Sequence, residues 1–418
     1  MNKKLITLAV AAAMAAPIAV MADATMYGKL HVSIDYQDVK PLAGDVDGYK
    51  GWGINGINPA LRRGGTGDAT RSNRVGIKGS EDLGGGLKAI WQVELGVTLG
   101  DRDGAIINGD RGSAISMRNS FVGLAGNWGT FLVGRHDTPL KISTGALDLF
   151  SDTQADYNAT IRFNDIRADN TVAYISPSWG GFQLAAAVIP GGGGTVSGDY
   201  NINSDSISQG WSLAGIYKNG PWYASAAYEA MGSELGYTDP ILSSNAVGDV
   251  ADTSIPDANG NFPVIAVDDI GDPATTTLIV SDPQDFNKWR IGLGILDWNG
   301  FTLTGIYENV ENDFFANNYD IQRWQVQAGY AFGNNMIKAM YGQEDRDIGG
   351  RDRDLGDFNT ISDIRDRFND KDRNAWAVAF DHNFSKRTRA YVLYTDVNDD
   401  AAEFDDWTGF SLGMIHKF

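Results

Sequence analysis

From residue 25 the chain alternates in a regular way. Tyr27, Lys29, His31, Ser33 and Asp35 form a polar series, and Gly28, Leu30, Val32, Ile34 and Tyr36 form the series between them. A period of two over ten residues is an extended strand with one apolar face. The pattern returns at Arg74–Lys78, where Val75 and Ile77 oppose Arg74, Gly76 and Lys78, and at Leu87–Leu95, where Lys88, Ile90, Gln92 and Glu94 oppose Leu87, Ala89, Trp91, Val93 and Leu95. It is as clear late in the chain, where Trp289, Ile291, Leu293 and Ile295 alternate with Lys288, Arg290, Gly292 and Gly294. Trp324, Val326, Ala328 and Tyr330 likewise alternate with Arg323, Gln325, Gln327 and Gly329. The expected strands lie near 25–37, 70–79, 86–97, 115–125, 129–137, 169–176, 181–189, 209–218, 221–230, 287–297, 300–309, 321–332, 335–344, 374–383, 387–396 and 407–418, sixteen in all.

The connections alternate as well. Short ones at 80–85, 126–128, 177–180, 219–220, 298–299, 333–334 and 384–386 interleave with long ones at 38–69, 98–114, 138–168, 190–208, 231–286, 310–320, 345–373 and 397–406. An even number of strands of about 9–11 residues, with short turns at one end and long loops at the other, is the layout of an antiparallel transmembrane barrel. A soluble sandwich has no reason to sort its loops by length. Tyr27, Tyr36, Trp128, Trp179, Trp222, Tyr228, Trp298, Tyr307 and Trp407 fall near strand ends, where amphipathic rings suit a lipid–water boundary. The third long connection is the most informative. About thirty residues without a strand pattern are uncommon in a compact fold unless they work, and this stretch carries Asp148, Asp152 and Asp156 among the anchors Leu147, Leu149, Phe150 and Tyr157.

Composition adds an address. Lys3 and Lys4 precede an apolar run from Leu5 to Val20 and the small residues before Asp23, which reads as a secretory signal peptide over residues 1–22. Its removal takes two cations and no acids, moving the net charge from −19 to −21. The acidity argues against a nucleic-acid partner, since phosphate binding needs a basic surface. The absence of cysteine removes thiol chemistry and Cys-based metal sites. Ten acids and no Lys or Arg fall between Met231 and Phe286, and nine acids with seven basic residues between Asp345 and Arg373. These read as solvated loops, with bound Ca²⁺ or Mg²⁺, bridging to lipopolysaccharide or within the loop, as the sharper option.

Three stretches, RSNRVGIKGSEDLGGGLKAIWQVELGV (71–97), RNSFVGLAGNWGTFLVGRHDTPLK (118–141) and RADNTVAYISPSWGGFQL (167–184), together with the last strand GFSLGMIHKF, resemble the Gram-negative general porins. The resemblance implies an all-β fold over 23–418: a 16-stranded antiparallel transmembrane β-barrel in the outer membrane, usually a homotrimer, passing ions and small hydrophilic solutes, with its third extracellular loop folded inward. It further implies a constriction in which wall cations face loop acids. By matching motif positions the cations are Arg74, Arg135 and Arg167, with Lys29 or His31 added from the first strand; the acids are Asp148, Asp152 and Asp156. A terminal aromatic, Phe418 here, is read in that family by the barrel-assembly machinery.

Other chemistry finds little support. His31, His136, His382 and His416 show no zinc-protease spacing, and no Gly-x-Ser-x-Gly accompanies His136-Asp137. Asp396–Asp400 opens like a calcium loop but has Ala401 and Trp407 where Gly and Glu are needed. An outer-membrane barrel enzyme would need a nucleophile–base pair that is not seen. A surface-interaction protein (adhesin or phage receptor) using the loop at 231–286, or a substrate-specific channel, remains compatible with the same barrel. Ion selectivity stays open, because the loops are acidic and the expected constriction is basic.

Overall fold

A computed structural model describes residues 24–40, 49–55, 71–99, 106–107, 110–111, 115–191, 194–196, 200–202, 206–232, 235, 286–314, 317–348, 371–400 and 406–418. The expected leader, the acidic run at 231–286 and most of 345–373 lie outside these residues.

Sixteen strands form one closed antiparallel sheet. They are β1 (Thr25–Val39), β2 (Arg74–Gly84), β3 (Leu87–Val97), β4 (Ile115–Met117 with Ser120–Gly126), β5 (Gly129–Asp137), β6 (Arg167–Ile175), β7 (Phe182–Ile189) and β8 (Gly210–Asn219). They continue as β9 (Trp222–Met231), β10 (Phe286–Trp298), β11 (Phe301–Phe314), β12 (Asn317–Phe332), β13 (Asn335–Ile348), β14 (Lys371–Asn383), β15 (Thr388–Asp399) and β16 (Trp407–Lys417). Each strand pairs with its sequence neighbour. The seam closes where β1 meets β16, from Lys29 opposite Lys417 to Val39 opposite Trp407. Phe418 finishes that seam by exchanging backbone hydrogen bonds with Gly28, at 2.9 and 3.1 Å. A short strand, Tyr49–Ile54, pairs back on the loop end of β1.

The two faces are inverted relative to a soluble protein. Ser33, Asp35 and Gln37 are buried, while Leu30, Val32 and Ile34 between them are exposed. The same holds for buried Arg290 beside exposed Ile291 and Leu293, and for buried Ser411 beside exposed Leu412 and Met414. A continuous exposed apolar band around a closed sheet is stable only against lipid. On the loop side it is bounded by cross-strand aromatic pairs, Trp211–Tyr228 and Trp289–Tyr307 with ring centroids 5.1 Å apart, Trp376–Tyr394 at 5.3 Å and Trp324–Tyr341 at 5.6 Å.

Strand lengths depart from expectation. β10–β15 run 12–16 residues, longer than a membrane crossing needs. The connection expected at 310–320 contracts, because β11 and β12 stay paired to Phe314 opposite Asn317. Asp396–Asp399 belongs to β15 rather than to a loop. At the turn end the short connections form as expected: Asn299 and Gly300 both adopt positive φ (51° and 87°), the pair of conformations a tight hairpin turn demands.

Candidate functional site

The chain leaves β5 at Thr138. The Thr138 hydroxyl accepts from Lys141 N at 3.4 Å and Pro139 occupies the first turn, so Thr-Pro starts helix α1 (Pro139–Thr144). A second short helix, α2 (Tyr157–Thr160), is capped by Asp156, whose carboxylate accepts from Asn158 N at 2.8 Å. Leu147, Phe150, Tyr157, Ile161 and Phe163 are buried in one cluster with wall residues Tyr223, Ile306, Met340, Ala375, Ala377 and Leu393. The anchors expected from sequence are therefore a hydrophobic core between segment 139–165 and the sheet, with Leu149 packed at its margin.

Polar bonds follow the same wall. Ser212 of β8 accepts from Leu140 N at 3.1 Å, and Tyr223 of β9 donates to Ser143 O at 2.8 Å. Thr304 of β11 donates to Leu147 O at 2.8 Å, Gln327 of β12 accepts from Leu149 N at 2.6 Å, and Lys338 of β13 donates to Leu149 O at 2.7 Å. Arg373 of β14 donates to Thr160 O and Gln154 donates to Ser411 of β16, at 2.6 and 2.8 Å. Lys29 of β1 ends the series in an ion pair with Asp152.

Behind the segment lies a chain of charges that sequence reasoning did not assemble. Arg290 binds Glu308 at 2.6 Å and Asp165 at 2.7 Å; Arg323 bridges Glu308 (3.2 Å) and Glu344 (2.7 Å). Arg346 bridges Glu344 (2.8 Å) and Asp399 (2.6 Å), and Arg373 reaches Asp399 at 3.0 Å. Arg162 of the segment adds contacts to Glu344 and Asp399 at 3.6 and 3.4 Å. The side chains of Arg290, Arg323, Arg346, Glu308 and Glu344 are 0% exposed. Every cation there has carboxylate partners, as burial of such charges requires.

The remaining wall is different. Arg74 stands 3.8 Å from Glu94, which also accepts from Arg118 (2.8 Å) and from Tyr27 OH (2.9 Å). Arg167 and Lys141 share Asp137 at 2.9 and 3.2 Å. Lys78 lies 5.2 Å from the centroid of the Tyr27 ring. These side chains keep solvent contact, 28% exposed for Arg74, 25% for Lys141, 15% for Arg167 and 12% for Arg118. Arg118 was missed in the sequence because it sits in the break between the two halves of β4, where alternation fails. Arg135 stands apart. In the register of β5 it follows Phe131 and Val133, both exposed on the apolar face, and it pairs at 2.5 Å with Asp169, itself 64% exposed. His31 is fully buried, 2.8 Å from Tyr391 OH.

The three loop acids are close together but unequal. Asp156 accepts from Asp152 N at 2.7 Å, and Asp148 accepts from Phe150 N and Gln327 at 2.9 and 3.0 Å. Burial alone would raise the Asp152 carboxyl, but the Lys29 ammonium, the Ser72 hydroxyl and Arg74 bring it down to about 2. Burial raises Asp148 to about 6 against the pull of Gln327, and Asp156 is raised well above its usual range by burial and by Asp148 and Asp152. Among the described residues no group of three or more His, Cys, Asp or Glu side chains could hold a metal ion.

Fold and faces together define a membrane-spanning β-barrel whose polar side carries a docked segment and a row of cations. The Gram-negative porin family profile matches residues 9–402, and the chain belongs to that family. It is 32% identical to the major outer membrane protein P.IB of Neisseria meningitidis serogroup B over 225 residues, 53% of this chain and 57% of that protein. The chain thus spans little more than half the length of that relative. To the P.IB protein of Neisseria sicca it is 25% identical over 427 residues, covering the whole of both. Among solved structures it resembles the anion-selective porin from Comamonas acidovorans, with a TM-score of 0.59 at 20% identity, covering 94% of this chain and 99% of that one. The chain is placed in the outer membrane of a Gram-negative bacterium.

Proposed function

We propose that the barrel is a water-filled channel for passive diffusion of ions and small hydrophilic solutes, with segment 138–166 folded into the lumen as its constriction. The observation that carries this reading is one-sided docking. Apart from the Lys141–Asp137 ion pair and a Ser72–Asp152 hydrogen bond, the segment's polar bonds go to β8–β14, β16 and β1, and the row on β2–β6 keeps solvent contact. Solutes then pass between the loop acids and Arg74, Arg118 and Arg167. Such a gap sets a transverse field that orders polar solutes and penalises apolar ones.

The same geometry favours anions. In this gap Lys29, Arg74, Lys78, Arg118, Lys141 and Arg167 outnumber the carboxylates Glu94, Asp137 and Asp152, and burial, which raises the carboxyls of Asp148 and Asp156, weakens the negative charge those two add. Charges at the narrowest point outweigh more distant, screened loop acids. The similarity to a porin described as anion-selective agrees in sign.

A homotrimer fits the outer surface. The aromatic border stops at Trp211, and the cross-strand row continues as Val188, Val172, Val133 and Val122 on β7–β4. A valine row in place of interfacial rings suits contact with another subunit better than a lipid boundary. The reading extends to Phe418, which pairs with Gly28 at the seam, as the residue the barrel-assembly machinery recognises. The channel reading leaves catalysis no role, as is general for porins.

The test uses the native lack of cysteine. Ser151 is exposed on the segment, and Ser151→Cys in planar bilayers is expected to lose current on reaction with charged methanethiosulfonates, faster with the anionic reagent. Undiminished current after complete labelling would remove the segment from the constriction.

A further inference from the structure

Glycines on the loop-facing side of the sheet coincide with the side chains that the segment inserts. Gly292 and Gly294 lie two residues apart on β10, both facing inward in register with Arg290. A methyl group at Gly292 would stand 2.5 Å from Leu147 Cδ1, and one at Gly294 would stand 2.8 Å from Leu147 Cδ2. On β13 a methyl at Gly342 would lie 2.8 Å from both Ile161 Cγ1 and the Trp324 carbonyl oxygen. Two side chains of the segment, Leu147 and Ile161, therefore rest where the wall lacks a Cβ. Leu147 and Ile161 are fully buried there. Gly292 and Gly294 adopt no positive φ, so conformational freedom does not account for glycine in mid-strand, where it weakens a sheet. Close approach of another group does.

Resting on the reading of the segment as the constriction, we infer that Gly292 and Gly294, with Gly342, are pore-size determinants. They form notches that let the loop lie flush on β10 and β13 and keep the lumen wide on the β2–β6 side. They touch no solute and carry no charge. Their effect is on the free cross-section and not on the sign of the field. Packing is dense enough that a side chain in a notch displaces the loop instead of being absorbed, and the edge with Asp148 and Asp152 is the edge that moves into the gap.

The experiment compares Gly292→Val, Gly292→Val/Leu147→Ala and the parent chain in planar bilayers. It measures single-channel conductance, the largest polyethylene glycol that enters, and the reversal potential in a salt gradient. Gly292→Val is expected to lose roughly half the conductance and to exclude smaller polymers at an unchanged reversal potential. Adding Leu147→Ala is expected to restore both. Unchanged conductance and cutoff in Gly292→Val, or a loss that Leu147→Ala does not rescue, would overturn the inference. Gly294→Ala carries the same test if Gly292→Val fails to fold, since the atoms nearest its new methyl are side-chain atoms of Leu147, Leu296 and Tyr223. Ser151→Cys labelling in the same chains separates the two readings. Block by the reagent with no effect of the glycine variants removes the notches alone; no block removes the constriction beneath them.

Discussion

The two walls of this barrel use the same side chains to opposite ends. On β10–β15, Arg290, Arg323, Arg346 and Arg373 are buried, and Glu308, Glu344 and Asp399 divide their charge in a continuous chain. On β2–β6, Arg74, Arg118 and Arg167 keep solvent contact and share fewer carboxylates. What separates them is the docked segment, which covers one wall and leaves the other wet. An arginine in this barrel is enclosed where its carboxylate partners and the segment cover it, and keeps solvent contact where they do not.

The largest effect expected from this contrast is on stability. Glu344 accepts from Arg323 and Arg346 and faces Arg162. Glu344→Gln leaves buried guanidinium charge uncompensated and is expected to lose about 3–5 kcal/mol in denaturant unfolding of detergent-solubilised barrel. Arg74→Ala, on the wet wall, is expected to lose no more than about 1 kcal/mol in the same assay. Comparable losses would erase the distinction between the walls.

A smaller effect is titratable. Asp148 is raised to about 6 by burial, so the docked segment holds its proton more tightly than the unfolded chain does. Its unfavourable contribution is absent below about pH 4, grows as pH rises towards 6, and is constant above. Acidification from pH 7 to 5 is therefore expected to favour the docked segment, remove negative charge from the lumen and increase anion preference. Asp148→Asn should shrink that pH step in the reversal potential to what Asp156 contributes and bring the channel closer to its acidic value.

Much of this was legible in the chain. Alternation gave sixteen strands and the sorting of loops by length, and the long third connection stood out because nothing in it alternated. Lys29 and Asp152 were readable as candidates and meet in the structure. Arg118 was not, because the break in β4 hides its face. Arg346 and Arg373 were read as loop charges, because polar residues on both faces mask the outer ends of β13 and β14. Their partners Glu308, Glu344 and Asp399 come into reach only through the register of the closed sheet, which a periodicity does not specify. The glycine notches were invisible for a simpler reason: an inward Gly292 reads as one more small residue on the polar face, and the leucine that fills its place lies about 145 residues away.

The most direct test of the one-sided pore is the zero-current potential across a bilayer in a tenfold KCl gradient, for the native protein and for Arg74→Ala/Arg118→Ala. An anion-side potential is expected for the native channel and a shift towards cations in the double variant, with folding intact. A cation-side native potential, or a double variant with an unchanged one, would contradict it.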